Sequence, residues 1–192
     1  MQVLQLSPRI VLNLSVVGLI FIALTACRTN DVDAELPKLE PTIQLQSSAF
    51  AADTSIPSEY TCDGEDRSPP LSWDAVPSEA QSLILIADDP DAPGGTFVHW
   101  VLYDLSPQTL QLPGGVTPVT QGPQQSVQGK NSFGKIGYRG PCPPSGTHRY
   151  FFKIYALDQK IEIEPGAKKN KVLLAAKEHI IATGELMGRY SR

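Results

Sequence analysis

At 192 residues and a formal charge of −4, the chain is long enough for one domain after a leader is removed. It has no basic block, and a nucleic-acid partner needs Lys and Arg gathered on one face, so that class is set aside. Seventeen Pro and 15 Gly between β-branched runs point to an all-β domain with long loops.

In chain order, residues 10–24 come first, an apolar run broken only by Asn13, Ser15 and Gly18. Arg9 is the sole charged side chain before it. The run is short for a membrane span and suits a signal-peptide core. It ends in Leu24-Thr25-Ala26-Cys27, which resembles the bacterial lipoprotein signal, whose cysteine is acylated and becomes the new N-terminus. On that reading residues 1–26 are a leader and Cys27 carries the membrane anchor; several acyl chains hold where one would not. Arg28 follows the cysteine, where an Asp would retain a lipoprotein in the inner membrane, so outer-membrane sorting is implied. An uncleaved anchor or a plain secretory peptide would also export the domain. Residues 27–42 are polar, acidic and proline-punctuated, a flexible tether, and residues 43–192 form the domain.

Within the domain, Ile43, Leu45 and Phe50 mark a first strand, and Pro69-Pro70 an extended edge segment. Residues 82–88 form an apolar strand central to a sheet. Residues 96–105 form another, whose alternation places Phe97, His99, Val101, Tyr103 and Leu105 on one face. Residues 113–147 show no clean periodicity. From 148 to 156 a strong strand turns His148, Tyr150, Phe152 and Ile154 to one side. Val172, Leu173, Ala176, Ile180 and Leu186 recur at helical spacing, so the spacing predicts a helix over 171–187 with Asn170 as N-cap and His179 on its surface. With Cys27 acylated, Cys62 and Cys142 remain, and an oxidising compartment favours their pairing over two free thiols.

The stretch Asp88-Asp89-Pro90-Asp91-Ala92-Pro93-Gly94-Gly95 joins two of these strands. Its residues suit a plain turn, and they also hold carboxylates at a strand end, where proline bars a regular ladder. No HExxH, GxSxG or CxxC motif occurs, and the run from Gly122 to Lys130 misses a phosphate loop in both spacing and its final hydroxyl. What remains is Asp89, Asp91, His99, His148 and Tyr150, with the glycine- and proline-rich loop 140–144. Two imidazoles and loop N–H groups can hold an anion, and a carboxylate beside them fixes a tautomer. The same set could mimic a two-His-one-carboxylate metal site, a weaker reading for acids fixed by proline.

The segments DDPDAPGGTFVHW (88–100) and FGKIGYRGPCPPSGTHRYFFKIYALD (133–158) resemble the two signatures of the phosphatidylethanolamine-binding protein family, also called Raf-kinase-inhibitor-like. TCDGEDRSPPLSW (61–73) and GELMGRY (184–190) agree with its bacterial and archaeal branch. The resemblance implies a mainly β fold: a two-sheet antiparallel sandwich with a Greek-key connection and a C-terminal helix. It also implies a small pocket for phosphate or phosphorylethanolamine. Carried over, the pocket acids are Asp89 and Asp91, His99 opens the HW strand, Gly140, Pro143 and Pro144 are the loop wall, and His148 and Tyr150 complete it. Cys142 stands where eukaryotic members have glycine, and Tyr190 matches no assigned role.

The leading expectation is therefore non-enzymatic binding of phosphate-bearing small molecules or phospholipid headgroups at the envelope, without cofactor or metal. A protein-interaction role, such as serine protease inhibition through residues 114–134, is the alternative. A metal- or His-assisted hydrolase is least favoured, because no nucleophile has a paired base.

Overall fold

The structure, a computed structural model, describes residues 36–192 apart from Ala75. The expected leader, Cys27 and the first part of the expected tether lie outside the described residues. Residues 36–42 run along the domain: Leu36 packs against its core, and the N–H groups of Thr42 and Ile43 donate to the Thr183 carbonyl at 2.8 and 2.9 Å.

Two sheets make the frame. The small one orders β1 (Leu45–Gln46), β2 (Leu71–Trp73) and β5 (Gln111–Leu112) as β1-β2-β5. The large one comprises β3 (Ser82–Asp89), β4 (Phe97–Leu105), β6 (Val127–Lys130), β7 (Thr147–Leu157), β8 (Gly166–Lys168) and β9 (Ile180–Ser191), ordered β8-β6-β4-β3-β7-β9. Strand β7 returns to lie beside β3 after β3, β4 and β6 have been laid in turn, which is the Greek-key order. All pairs are antiparallel except β6 with β8. Both faces of β3 are buried because each is covered. Leu83, Leu85 and Ala87 meet Leu71, Trp73 and Leu112 of the small sheet. Ile84 and Ile86 meet Val172, Leu173 and Ala176 of the helix α1 (Lys169–Ala176) on the other side.

The expected long C-terminal helix is thus corrected in extent. Helix α1 ends at Ala176, and residues 180–191 form β9, paired with β7 from Ile180 opposite Leu157 to Ser191 opposite Thr147. Lys168, not Asn170, is the N-cap residue. The positions 180 and 186 fit either period, since an even separation also keeps residues on one strand face. Gly184 decides it physically: a Cβ there would lie 2.2 Å from the Ile43 carbonyl oxygen, because the incoming chain crosses this strand. His179 falls in the turn before β9, half-buried, 2.9 Å from Asp158.

Residues 113–147, read as irregular, contain β6 and are ordered largely by side-chain amides. Gln128, fully buried, donates from Nε2 to the carbonyls of Thr117 and Val119 at 2.7 Å each, and its Oε1 accepts the Trp100 indole N–H at 2.8 Å. Asn131 donates to the Gly137 carbonyl at 2.9 Å. Amides give these segments the hydrogen bonds a ladder would otherwise supply, so no strand period is written in the chain.

Cys62 and Cys142 form a disulfide, Cα atoms 5.5 Å apart and 80 positions separated in sequence. The bond ties loop 138–144 to the segment 60–66. Around it, Tyr138 donates to the Tyr60 carbonyl at 2.8 Å and the Gly140 N–H to Asp66 at 2.6 Å.

Candidate functional site: a cavity between two imidazoles

Strand β3 ends in two acids on opposite faces of the sheet. Asp88 points to the helix side, fully buried, with the ammoniums of Lys153 and Lys169 at 2.9 and 2.8 Å. Asp89 points to the small-sheet side. One of its oxygens accepts the His148 Nδ1–H at 2.7 Å, and the other accepts the Asp91 N–H at 2.8 Å. Pro90 between them has no N–H to offer, so the strand ends here and the turn folds back on the carboxylate.

His99 reaches the same space through a β-bulge. Ala87 pairs with Trp100 and Asp88 with Val98, so His99 is the extra residue on β4. The expected alternation therefore breaks at this point. Phe97 and His99 line the cavity, whereas Val101 and Tyr103 pack on the helix side. Trp100 stays with the small-sheet core beside the bulge.

The cavity measures about 280 Å³. Its polar floor is Asp89, His99, His148 and Tyr150. Pro143 and Pro144, with Cys142 of the disulfide, wall one side, and Phe97 and Phe133 the other. The rings pack edge to face: His99 to Tyr150 at 5.3 Å between centroids and Phe97 to Phe133 at 4.8 Å. Phe133 is 45% exposed, so it stands at the mouth.

Both histidines have one nitrogen already committed. His99 Nδ1 donates to the Arg139 carbonyl at 2.7 Å, and the Arg139 N–H returns a bond to the His99 carbonyl at 3.0 Å. Burial pushes the His99 imidazole below its ordinary pKa, against the opposing pull of the Arg139 carbonyl, so the neutral ring is favoured. The Tyr150 hydroxyl is buried and makes no well-formed hydrogen bond, with the Asp89 carboxylate and the Cys142 backbone beside it. Burial, helped by the Asp89 charge, drives its phenol pKa upward, so it remains a proton donor.

Two sequence-expected residues do not line the cavity. Asp91 turns outward to Arg149, accepting its backbone N–H and Nε at 2.9 Å and its Nη2 at 2.6 Å. It fastens the turn to β7 instead of presenting charge to a ligand. Gly140 lies under the neighbouring segment: a Cβ there would sit 2.3 Å from the Tyr60 carbonyl oxygen, so its lack of a side chain is a packing requirement. Cys142 lines the cavity with the expected loop 140–144, and Phe97, Phe133, Ala92 and Pro93 line it too, although they are not among the sequence-expected residues. The available signal was Phe97, two positions before His99 on one strand face. Among the described residues no three His, Cys, Asp or Glu side chains come together to hold a metal ion. A larger concavity, about 730 Å³ beside Gln81, Gln124 and Gln125, gathers no imidazole and no aromatic ring.

Arg149 holds the Asp91 carboxyl at a pKa of about 2, below its ordinary 3.8. A carboxylate lowered on folding stabilises the native state above its unfolded pKa, and that contribution is lost as pH falls through the folded value. Both side chains are partly exposed, so the effect is screened and small. Wild type and Asp91→Ala should therefore differ in melting temperature at pH 7, and the difference should shrink between pH 4 and pH 2. A gap that persists undiminished at pH 2 would refute the assignment.

The phosphatidylethanolamine-binding protein family model matches residues 46–191. The UPF0098 protein of Methanothermobacter thermautotrophicus is 52% identical over 150 residues, covering 78% of this chain and 99% of its own length. The UPF0098 protein of Chlamydia trachomatis is 46% identical over 155 residues, covering 78% and 99%. Among solved structures, a phosphatidylethanolamine-binding protein homologue from Chlamydia trachomatis superposes with a TM-score of 0.73 at 45% identity, over 80% of this chain and 99% of that one. The E. coli protein YbcL, described as a member of the mammalian family, gives 0.72 at 30% identity, over 78% and 98%. With a family model spanning most of its length, a closely related protein matched end to end and the same sandwich in both crystal structures, the chain belongs to the phosphatidylethanolamine-binding protein family.

Proposed function

We propose that this protein is a non-enzymatic binder of phosphate-bearing small molecules, including phospholipid headgroups, within the bacterial and archaeal branch of the family. On this reading it works at the cell envelope, tethered through acyl chains on Cys27. The observation that carries the ligand is the Tyr150 hydroxyl, buried without a well-formed hydrogen bond in a cavity it shares with two imidazoles. A buried donor left unmade costs roughly 1–3 kcal/mol, and an anionic oxygen in the cavity would satisfy it. The binding role is favoured over hydrolysis by what lines the cavity. Cys142 is locked in the disulfide, and the Tyr150 phenol is pushed away from ionising, which leaves no activated nucleophile on the wall. The envelope placement rests on the apolar run before Cys27.

Calorimetric titration with inorganic phosphate and phosphorylethanolamine should show binding. His148→Ala and Tyr150→Phe should each weaken it about tenfold or more, the worth of one hydrogen bond to a charged group. Absence of binding by the wild type would sink the proposal. Incorporation of a clickable fatty acid, lost in Cys27→Ala, tests the anchor separately.

A further inference from the structure

We propose that the Cys62–Cys142 disulfide is a thiol–disulfide exchange site: a dithiol opens it by attack on Cys62, and the cavity wall carried by Cys142 is released with it. The chemistry lies in the bond and its neighbours and does not depend on what the cavity takes.

The two cysteines sit in unlike surroundings. Cys62 is exposed, whereas Cys142 is half-buried and lines the cavity. A thiolate arriving from solvent therefore meets the bond at Cys62. Exchange also needs a good leaving group on the other sulfur, and a cation beside a sulfur makes its thiolate easier to form. Arg192 supplies one, its Nη1–H donating to Cys142 Sγ at 3.5 Å. The same guanidinium holds Asp63 through Nε at 3.2 Å, and the Tyr190 hydroxyl donates to that carboxylate at 2.8 Å. The acid next to Cys62 is thus bound twice, which lessens its repulsion of an incoming thiolate.

The bond also fastens the wall. Upstream, the loop has ties of its own: Arg139 to His99 in both directions, the Gly140 N–H to Asp66, and the Cys62 N–H to the Pro141 carbonyl. Downstream, Gly146 and Arg192 exchange backbone hydrogen bonds at 2.9 and 3.2 Å. Between these, among the described residues, no backbone–backbone hydrogen bond holds 142–145. Pro143 and Pro144 have no N–H to offer. The crosslink is therefore the one covalent tie on the segment that walls the cavity beside His148 and Tyr150.

In the first step the incoming thiolate bonds to Cys62 Sγ. The Cys62–Cys142 bond breaks, and its electron pair leaves on Cys142 Sγ beside Arg192. The two Cα atoms are 5.5 Å apart, so the Cys142 thiolate can turn back on the mixed disulfide, restore the original bond and expel a monothiol. A dithiol escapes this reversal. Its second thiolate attacks its own bonded sulfur, closes as a disulfide and expels the Cys62 thiolate. Two electrons pass from the dithiol to the protein, and the two thiol protons go to solvent or to the freed sulfurs. The class of reductant selected is thus the dithiol.

The full chain carrying Cys27→Ser keeps Cys62 and Cys142 as its only cysteines and tests this. Native incubation with dithiothreitol at pH 7.5, then alkylation and mass spectrometry, should label both. Glutathione at the same thiol concentration should give little labelling, and acid quenching of that reaction should find its adduct on Cys62. On reduction, hydrogen exchange at the Gly146 amide should quicken about tenfold or more, while the Arg139 amide, bonded to the His99 carbonyl, stays protected. In the reduced protein, Arg192→Gln should raise the pH at which Cys142 alkylates and leave Cys62 nearly unmoved. It should also slow native reduction a few-fold, and Arg192→Lys should restore both readings. A bond that resists dithiothreitol until denaturant is added overturns the proposal, as does an adduct on Cys142. Reduction that leaves the Gly146 amide as protected as before, or an Arg192→Gln variant that reduces at the wild-type rate, overturns it too.

Discussion

Replacing Cys62 and Cys142 together by serine should lower the unfolding free energy by about 4 kcal/mol, mostly by releasing the unfolded chain. The crosslink closes a span of 80 positions, and on the chain-entropy view a loop of that size is worth roughly 4–5 kcal/mol. The folded loop would keep other ties without it: Tyr138 to the Tyr60 carbonyl, Gly140 to Asp66, and the Cys62 N–H to the Pro141 carbonyl at 3.1 Å. The variant should therefore fold, place His99 normally against Arg139, and, on the proposed binding role, lose phosphate affinity only a few-fold through a looser Cys142–Pro144 wall. Urea titration reads the stability change as a lowered midpoint, accompanied by a steeper slope because the uncrosslinked chain unfolds to a more open state. A midpoint unchanged from wild type would mean that the crosslink constrains neither state.

Trp100→Ala should cost about 3–5 kcal/mol, the range for truncating a large, fully buried aromatic side chain. Part of that is the void beside Tyr138, whose ring meets the indole edge to face at 5.7 Å. The rest comes from Gln128, whose Oε1 would be left buried without the indole N–H while its Nε2 still holds Thr117 and Val119. Trp100→Phe separates the two contributions, keeping most of the volume and losing the hydrogen bond, and should cost roughly 1–3 kcal/mol. Because Trp100 adjoins His99 in the bulge, the alanine variant should also weaken the phosphate binding proposed above. Thermal and urea unfolding of the three proteins check the order, and a Phe variant as damaged as the Ala variant would show that the hydrogen bond alone carries the effect.

The strands that hold the cavity were readable because their periods are clean. Residues 148–156 alternate without a break, so His148, Tyr150, Phe152 and Ile154 do share a face in the structure. Strand β4 was readable as a strand but not in its facing. The bulge at His99 is one extra residue with no mark in the local composition, and it reverses the alternation beyond it. The C-terminal segment misled for a related reason. Ile180 and Leu186 serve either period, and what excludes a helix there is a partner, β7, together with the chain crossing at Gly184. Asp91 was unreadable in role, since its carboxylate could serve a ligand or a neighbour until Arg149 was seen beside it.

By itself the chain determined the things that depend on neighbours in sequence: an apolar run ahead of Cys27, strands of defined length, a proline-bound acidic turn, and the residue types that line the cavity. Only the tertiary structure decided which nitrogen of each histidine is spent and which remains. Those bonds, His99 to Arg139 and His148 to Asp89, join residues 40 and 59 positions apart. A hydrogen bond takes its direction from the atom it meets in space, and that atom comes from another strand or loop brought alongside by folding.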